Sequence, residues 1–156
     1  MKISGSHSLP VAQERLYQVL QDPGILARCM PGCDRLEKVG EDLYQMKMKM
    51  IIASISGLFD GTVRLAGQNP HTSFKLIVEG SGKIGFVKGE GLLSLSSNEQ
   101  GTHVSYDGDV HVGGTIASVG QRLIDVTSKM LIKRFFTKLA TEVSSAPELT
   151  RTPNSA

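Results

Sequence analysis

Cys29 and Cys33 bracket Pro31-Gly32 and are the chain's two cysteines. A zinc site needs about four nitrogen or sulfur ligands, and no second pair of Cys or His stands at ligand spacing. The pair therefore reads as loop packing, with a reactive thiol as the alternative and no metal. Asp107, Asp109 and His111 share one face of an alternating segment and could ligate a metal in principle. Their face is opposite to Val104, Tyr106, Val110 and Val112, which makes them the polar, solvated side of a strand. Lys88 and Glu90 also point to one side, opposite Val87, Leu93 and Leu95, and read as a surface ion pair. A bulge near Gly89 or Gly91 would be needed to turn them inward. His7 and His71 have no partner identifiable from sequence. There is no nucleophile elbow, no phosphate-binding glycine loop and no carboxylate pair in a cavity-forming context. The chemistry these residues offer is not catalytic, and no cofactor is expected.

Binding chemistry is better represented. Between residues 42 and 54, Tyr44, Met46, Met48, Met50 and Ile52 fall on one face, with Gln45, Lys47 and Lys49 on the other. Three successive methionines give a soft, deformable apolar surface. The same parity extends it through Phe59, Val63 and Leu65, through Phe74, Leu76 and Val78, and through Val104, Tyr106, Val110 and Val112. Two readings stay open: a plain core packed against Ile116, Val119 and Leu123, or the wall of a cavity. Gly57, Gly61, Gly80, Gly82, Gly85, Gly89, Gly91 and Gly108 lie in or beside these segments, where glycine marks bends, bulges or close approach.

The elements that carry these faces are legible by period. Residues 2–9 alternate, with Ile3, Gly5, His7 and Leu9 on one side, as a first strand. Val11 to Gln21 is a short amphipathic helix, and Asp22-Pro23 caps a second one through Ile25-Leu26-Ala27. Strands are expected over 34–39, 42–54, 57–67, 71–79, 83–97 and 102–112. Turns at Gly40-Glu41, Gly57, Gln68-Asn69-Pro70, Gly80-Ser81-Gly82 and Asn98-Glu99-Gln100-Gly101 join them as an antiparallel meander. From about Thr115 to Val143 apolar residues recur at helical spacing: Ile116, Val119, Leu123, Val126, Met130, Ile132, Phe135, Phe136, Leu139, Ala140 and Val143. One helix of about 29 residues would be a rod of roughly 43 Å, long enough to cross a seven-stranded sheet about 29 Å wide. Gly120 within it would allow close contact with a strand or thin the helix over a cavity.

The chain has 156 residues and fits one domain, residues 1–143, followed by a polar Pro/Ser/Thr-rich tail over 144–156. Its net charge of +2, without aromatics interleaved among basic residues, gives no case for nucleic acid. No signal peptide or membrane-spanning run is expected, and a cytoplasmic location fits the low cysteine count. Lys129, Lys133, Arg134 and Lys138 offer at most weak peripheral attraction to an anionic membrane and otherwise read as a solvated helix face.

Met30-Pro31-Gly32-Cys33, Gly57-Leu58-Phe59-Asp60-Gly61 and Tyr106-Asp107-Gly108-Asp109-Val110, in that order, resemble the carbon monoxide dehydrogenase CoxG family. The stretch from Val112 to Asp125 is the closest part of the likeness, which covers roughly residues 1–143. The resemblance implies the α+β helix-grip (START-like, SRPBCC) fold: a curved seven-stranded antiparallel sheet around a long C-terminal helix, with two short helices after strand 1. It further implies an accessory protein of molybdenum-containing hydroxylases such as carbon monoxide dehydrogenase, acting in maturation, recruitment or quinone delivery. With that fold, the apolar face becomes a cavity for an isoprenoid quinone or another lipid. Met46, Met48, Met50, Phe59, Phe74, Leu76, Tyr106, Ile116, Val119 and Leu123 would line it, Tyr106 meeting the ligand's polar head. Protein–protein contact with an incidental cavity, and a START-like enzyme, are the alternatives. Longer family members carry a membrane-binding tail, whereas the tail here is polar as far as Ala156. Oligomeric state stays open, a dimer included.

Overall fold

Residues 1–145 are described by a computed structural model, with side chains to residue 143. The order is β1 (Lys2–Leu9), α1 (Gln13–Val19), α2 (Pro23–Cys29), then β2 (Cys33–Gly40), β3 (Leu43–Ile52), β4 (Ile55–Asn69), β5 (Ser73–Gly82), β6 (Gly85–Asn98) and β7 (Gly101–Gly113). A 3-10 turn (Thr115–Val119) leads into α3 (Gln121–Ser145). All seven strands form one antiparallel sheet in the order β1-β7-β6-β5-β4-β3-β2, so β2 to β7 is a meander and β1 closes onto its last strand. This is the α+β helix-grip architecture expected from sequence.

Local chemistry accounts for the early helices. Asp22 accepts hydrogen bonds from the Gly24 and Ile25 amides at 2.9 and 3.2 Å, with Pro23 opening α2 where no amide donor is needed. In β1 the alternation holds: Ile3, Gly5, His7 and Leu9 turn inward while the lysine and serines between them are exposed. In β3, Tyr44, Met46 and Ile52 are buried, Met48 and Met50 half-buried, and Gln45, Lys47 and Lys49 exposed.

The C-terminal helix departs from the expectation of one rod over 115–143. Gly120 has φ of 98°, a left-handed-side backbone that favours glycine, and it separates the 3-10 turn from α3. Nothing lies within 4 Å of a Cβ built at Gly120, so its role is this break and not close packing. The remaining 25 residues make roughly 37 Å of helix. Because helical phase restarts at Gln121, Ile124 turns inward to be buried, and Val126 and Met130 turn outward at 56% and 41% exposure. The expected inward stripe through Val126 and Met130 is thereby corrected.

Two turns also move. The β3–β4 hairpin turns at Ala53-Ser54, with Ala53 at φ 56°, and not at Gly57. Gly80-Ser81-Gly82 stays within β5, and the turn is Lys83-Ile84. The other boundaries shift by one to three residues at either end, Gly101 joining β7 and Asn69 joining β4. The expected polar tail lies, beyond residue 145, outside the described residues.

The core has two parts. In one, Leu16, Phe74, Val104, Phe136 and Leu139 seal α1 and α3 against the sheet. In the other, Ile52, Phe59, Ile116 and Ile124 pack around the 3-10 turn. The backbone of α3 approaches mainly α2, β1 and β3, the two strands lying at or near opposite margins of the sheet.

Candidate functional site

The strand registers place five glycines in a contiguous diagonal on the helix-facing side of the sheet. Gly108 pairs with Gly91, Gly89 follows two residues along β6, Gly80 sits diagonally beside it, and Gly80 pairs with Gly61. These positions share parity with Tyr106, Leu93, Val78 and Val63, all of which point to the same side. The diagonal runs between the two parts of the core. Leu76, Val78 and Val63 belong to the first part, and Val87 and Val112 to the second.

The glycines are of two physical kinds. A Cβ on Gly61 would overlap the Glu79 carbonyl oxygen, and one on Gly108 would stand 2.8 Å from that of Glu90. At those points the neighbouring strand approaches too closely for a side chain. At Gly91, by contrast, the nearest atoms would be 3.6 and 3.7 Å away, and at Gly89 3.5 and 3.7 Å, all of them from β7. No atom of α3 comes within 4 Å of either place. The result is an inward line of positions without side chains of their own, a trough in the sheet surface, flanked by half-buried Leu76, Val78, Val87, Leu93, Val110 and Val112.

The ten residues expected to line a cavity divide across this trough. Met46 and Phe74 are buried in the first part of the core, with Met48, Leu76 and Tyr106 packed against it. Phe59 and Ile116 are buried in the second, with Met50, Val119 and Leu123 packed against it. The four buried members are structural, and the half-buried ones are available to line a groove.

Tyr106 borders the trough two residues before Gly108. Its ring leans over β1, where a Cβ on Gly5 would collide with the phenol oxygen at 2.5 Å, so bare Gly5 provides its seat. The other two tyrosines are tied down: Tyr17 donates to the Ser73 carbonyl at 3.0 Å and Tyr44 to that of Gln21 at 3.2 Å. The Tyr106 hydroxyl has no hydrogen-bond partner among the described residues. Sequence reasoning left out His7, which lies beside it. The His7 ring stacks on Phe136 of α3 at 4.3 Å between centroids and lies 6.3 Å from the nearly parallel Tyr106 ring. Burial, and then the nearby Lys133 ammonium, lower the His7 pKa from its ordinary 6.5, favouring neutral imidazole. The signal for His7 was present in the alternation of β1.

The remaining chemical candidates lie elsewhere. Asp109 accepts from the Met1 ammonium at 3.1 Å, with Lys2 at 3.6 Å and His111 at 3.8 Å, on the outer face of the sheet. That ammonium holds the Asp109 carboxyl below its ordinary range. Lys88 and Glu90 are exposed on the same outer side. Burial pushes the Cys29 thiol up to about 11 and raises Cys33, which donates to the Arg35 carbonyl at 3.5 Å, so neither favours a thiolate. Among the described residues, no group of three or more His, Cys, Asp or Glu is placed to hold a metal. No helix there is long and apolar enough to cross a membrane. Two open hollows of about 430 and 330 Å³ are present, one lined by exposed residues of α3 from Met130 to Thr141, the other by residues of β4–β6 that include Gly61, Gly80 and Val87 at the β4 end of the trough.

Comparisons with known proteins place this geometry. The carbon monoxide dehydrogenase CoxG family matches residues 5–144. The crystal structure of a conserved protein from Geobacillus kaustophilus is 35% identical, with a TM-score of 0.89 over 94% of this chain and 97% of that one. A Thermus thermophilus protein of 12% identity superposes with a TM-score of 0.70, covering 94% of this chain and 99% of its own. A Chromobacterium violaceum protein of 16% identity does so at 0.66, covering 90% and 95%. These last two likenesses concern the fold alone. Curated proteins contain no match to the chain.

Proposed function

The chain belongs to the carbon monoxide dehydrogenase CoxG family, and from that premise we propose that it is a non-enzymatic carrier of a hydrophobic ligand, an isoprenoid quinone or another lipid. It would serve as a cytoplasmic accessory to a carbon monoxide dehydrogenase-like molybdenum hydroxylase. The observation that supports this reading is the glycine diagonal of the sheet. A sheet–helix layer built only for stability would fill that line with side chains, because interiors pack to crystal-like density. This one leaves Gly89 and Gly91 bare and their apolar neighbours half-buried. A ligand burying about 300 Å² of apolar surface there would gain roughly 7 kcal/mol before association costs. Residues 1–143 are proposed as the carrier domain.

Mass spectrometry of an organic extract of the purified protein, with native mass spectrometry for stoichiometry, tests the reading. The expected outcome is one apolar species near one per chain. A protein that is empty as purified, and stays empty after incubation with decylubiquinone or oleate, would overturn it. Family membership also supports a second reading, recruitment or maturation through protein contact with the groove incidental. Gentle affinity capture from the native host should then recover molybdenum hydroxylase subunits from a variant whose groove is blocked.

A further inference from the structure

We propose that His7 and Tyr106 together form the head-group end of the groove and select an uncharged ligand head, a carbonyl or a hydroxyl. The inference rests on the carrier reading above and adds the chemical class of the head. Both side chains come from adjacent strands, β1 and β7, and face inward: Tyr106 stands two residues from Gly108, and His7, opposite Val104, brings its ring alongside that of Tyr106 at 6.3 Å. Neither makes a hydrogen bond within the described residues. Both are half-buried, and the sole fully buried unpaired side-chain polar atom there belongs to Arg15. The imidazole nitrogens and the phenol oxygen are therefore not sealed off from solvent, and they are idle within the protein.

Their chemistry restricts what can meet them. Polar atoms that reach water but no protein partner can exchange that water for a ligand group, with the modest net gain of one hydrogen bond. Neutral imidazole offers one N–H donor and one acceptor nitrogen, and the phenol offers a donor and an acceptor. A ligand carbonyl would accept from the Tyr106 hydroxyl, from the imidazole N–H, or from both. A ligand hydroxyl would accept from Tyr106 and donate to the free imidazole nitrogen. Lys133 is exposed and solvated, so it offers a carboxylate little compensation, and it opposes a cation if anything. Either charged head would lose hydration on entering an apolar groove, a cost that a carbonyl or hydroxyl largely avoids. Phe136, stacked on His7, holds the imidazole upright and supplies an apolar flank.

The test uses probes of similar overall length and different heads: tridecane, 2-tridecanone, 1-dodecanol, dodecanoate and dodecylammonium, each displacing Nile red from the purified protein. Wild type is expected to bind the ketone and the alcohol about tenfold more tightly than tridecane. His7→Phe keeps a ring against Phe136 and removes both nitrogens, and Tyr106→Phe removes only the hydroxyl. Each should cut that preference about fivefold, as for one lost hydrogen bond, while leaving tridecane unchanged. Equal affinity for tridecane and the ketone in wild type would overturn the head-group assignment and leave the carrier reading standing. A preference for dodecanoate that disappears in Lys133→Gln would overturn it in favour of an anion site. Failure of Nile red and every probe to bind would sink the carrier reading itself, and this inference with it.

Discussion

The space between the sheet and α3 is built in two different ways along its length. Where α1 and α3 close over β6, β7 and β1, Leu16, Phe74, Val104 and Leu139 are fully buried. A few residues away, along the line from Gly108 to Gly61, inward positions carry no side chain at all. The flanking valines and leucines there keep part of their surface open to solvent. The first region has the character of a stabilising core, and the second has that of a receptacle. Their proximity means that a substitution two residues along one strand can move from loss of stability to loss of binding with stability unchanged.

The largest effect should come from the sealed region. Leu139→Ala removes a side chain with 0% exposure and should lower the unfolding free energy by about 3 kcal/mol, read from urea denaturation. A loss below about 1 kcal/mol would mean that this end is looser than its burial indicates. Gly61→Ala comes next. One methyl group placed against the Glu79 carbonyl oxygen forces the strands apart, and about 2 kcal/mol of destabilisation is expected by the same assay.

Gly91→Val sharpens the contrast, because it adds more atoms than Gly61→Ala in a position of the same parity. Its Cβ would have 3.6 Å of clearance, and valine favours the extended backbone. Stability should stay within about 0.5 kcal/mol of wild type. Ligand loading should fall about tenfold, because the branched side chain fills the trough. If Gly91→Val unfolds the protein, the distinction between close-approach and open glycines fails. If it folds and loads normally, the ligand lies elsewhere.

Most of the fold could be read from the amino acids. Period-two alternation is strong in β1, β3 and β7, and Asp22-Pro23 is an unambiguous helix start. What misled was glycine, which serves turns, breaks and close approach alike. Gly57 and Gly80 read as turns, yet both lie inside strands; a Cβ on Gly57 would crowd Ile84 at 3.0 Å, and Gly80 belongs to the trough. The hairpin at Ala53-Ser54 carries no such signal. Gly120 read as a tolerated interior glycine, and missing its break put Val126 and Met130 on the wrong side of α3. In the candidate site, parity put the seven strand residues expected to line a cavity on the inward face, where all are buried or half-buried. Parity cannot tell a filled face from a hollow one, because that depends on how far α3 stands off the middle strands. His7 was passed over for a related reason: its importance comes from Phe136, 129 positions along the chain, and from Tyr106, on a strand that only the closed sheet brings beside it.

The smallest expected effect bears on the border between the two regions, where His7 packs on the sealed side through Phe136 and faces the trough through Tyr106. Its pKa is lowered in the folded protein, chiefly by burial and secondarily by Lys133. An unfolded chain therefore takes up the His7 proton at a higher pH than the folded one does. Stability should be complete above the unfolded value near 6.5 and decline as pH falls from there through the lower folded value. His7→Phe removes this contribution, so its melting temperature should fall less than that of wild type between about pH 7.5 and pH 5. Comparing the two proteins isolates His7 from the other three histidines, which both retain. Equal acid sensitivity in wild type and variant would place His7 in the solvated region, with Phe136 a passing neighbour. A smaller acid loss in the variant would fix the edge of the sealed core at this ring pair and leave Tyr106 as the first group belonging wholly to the trough.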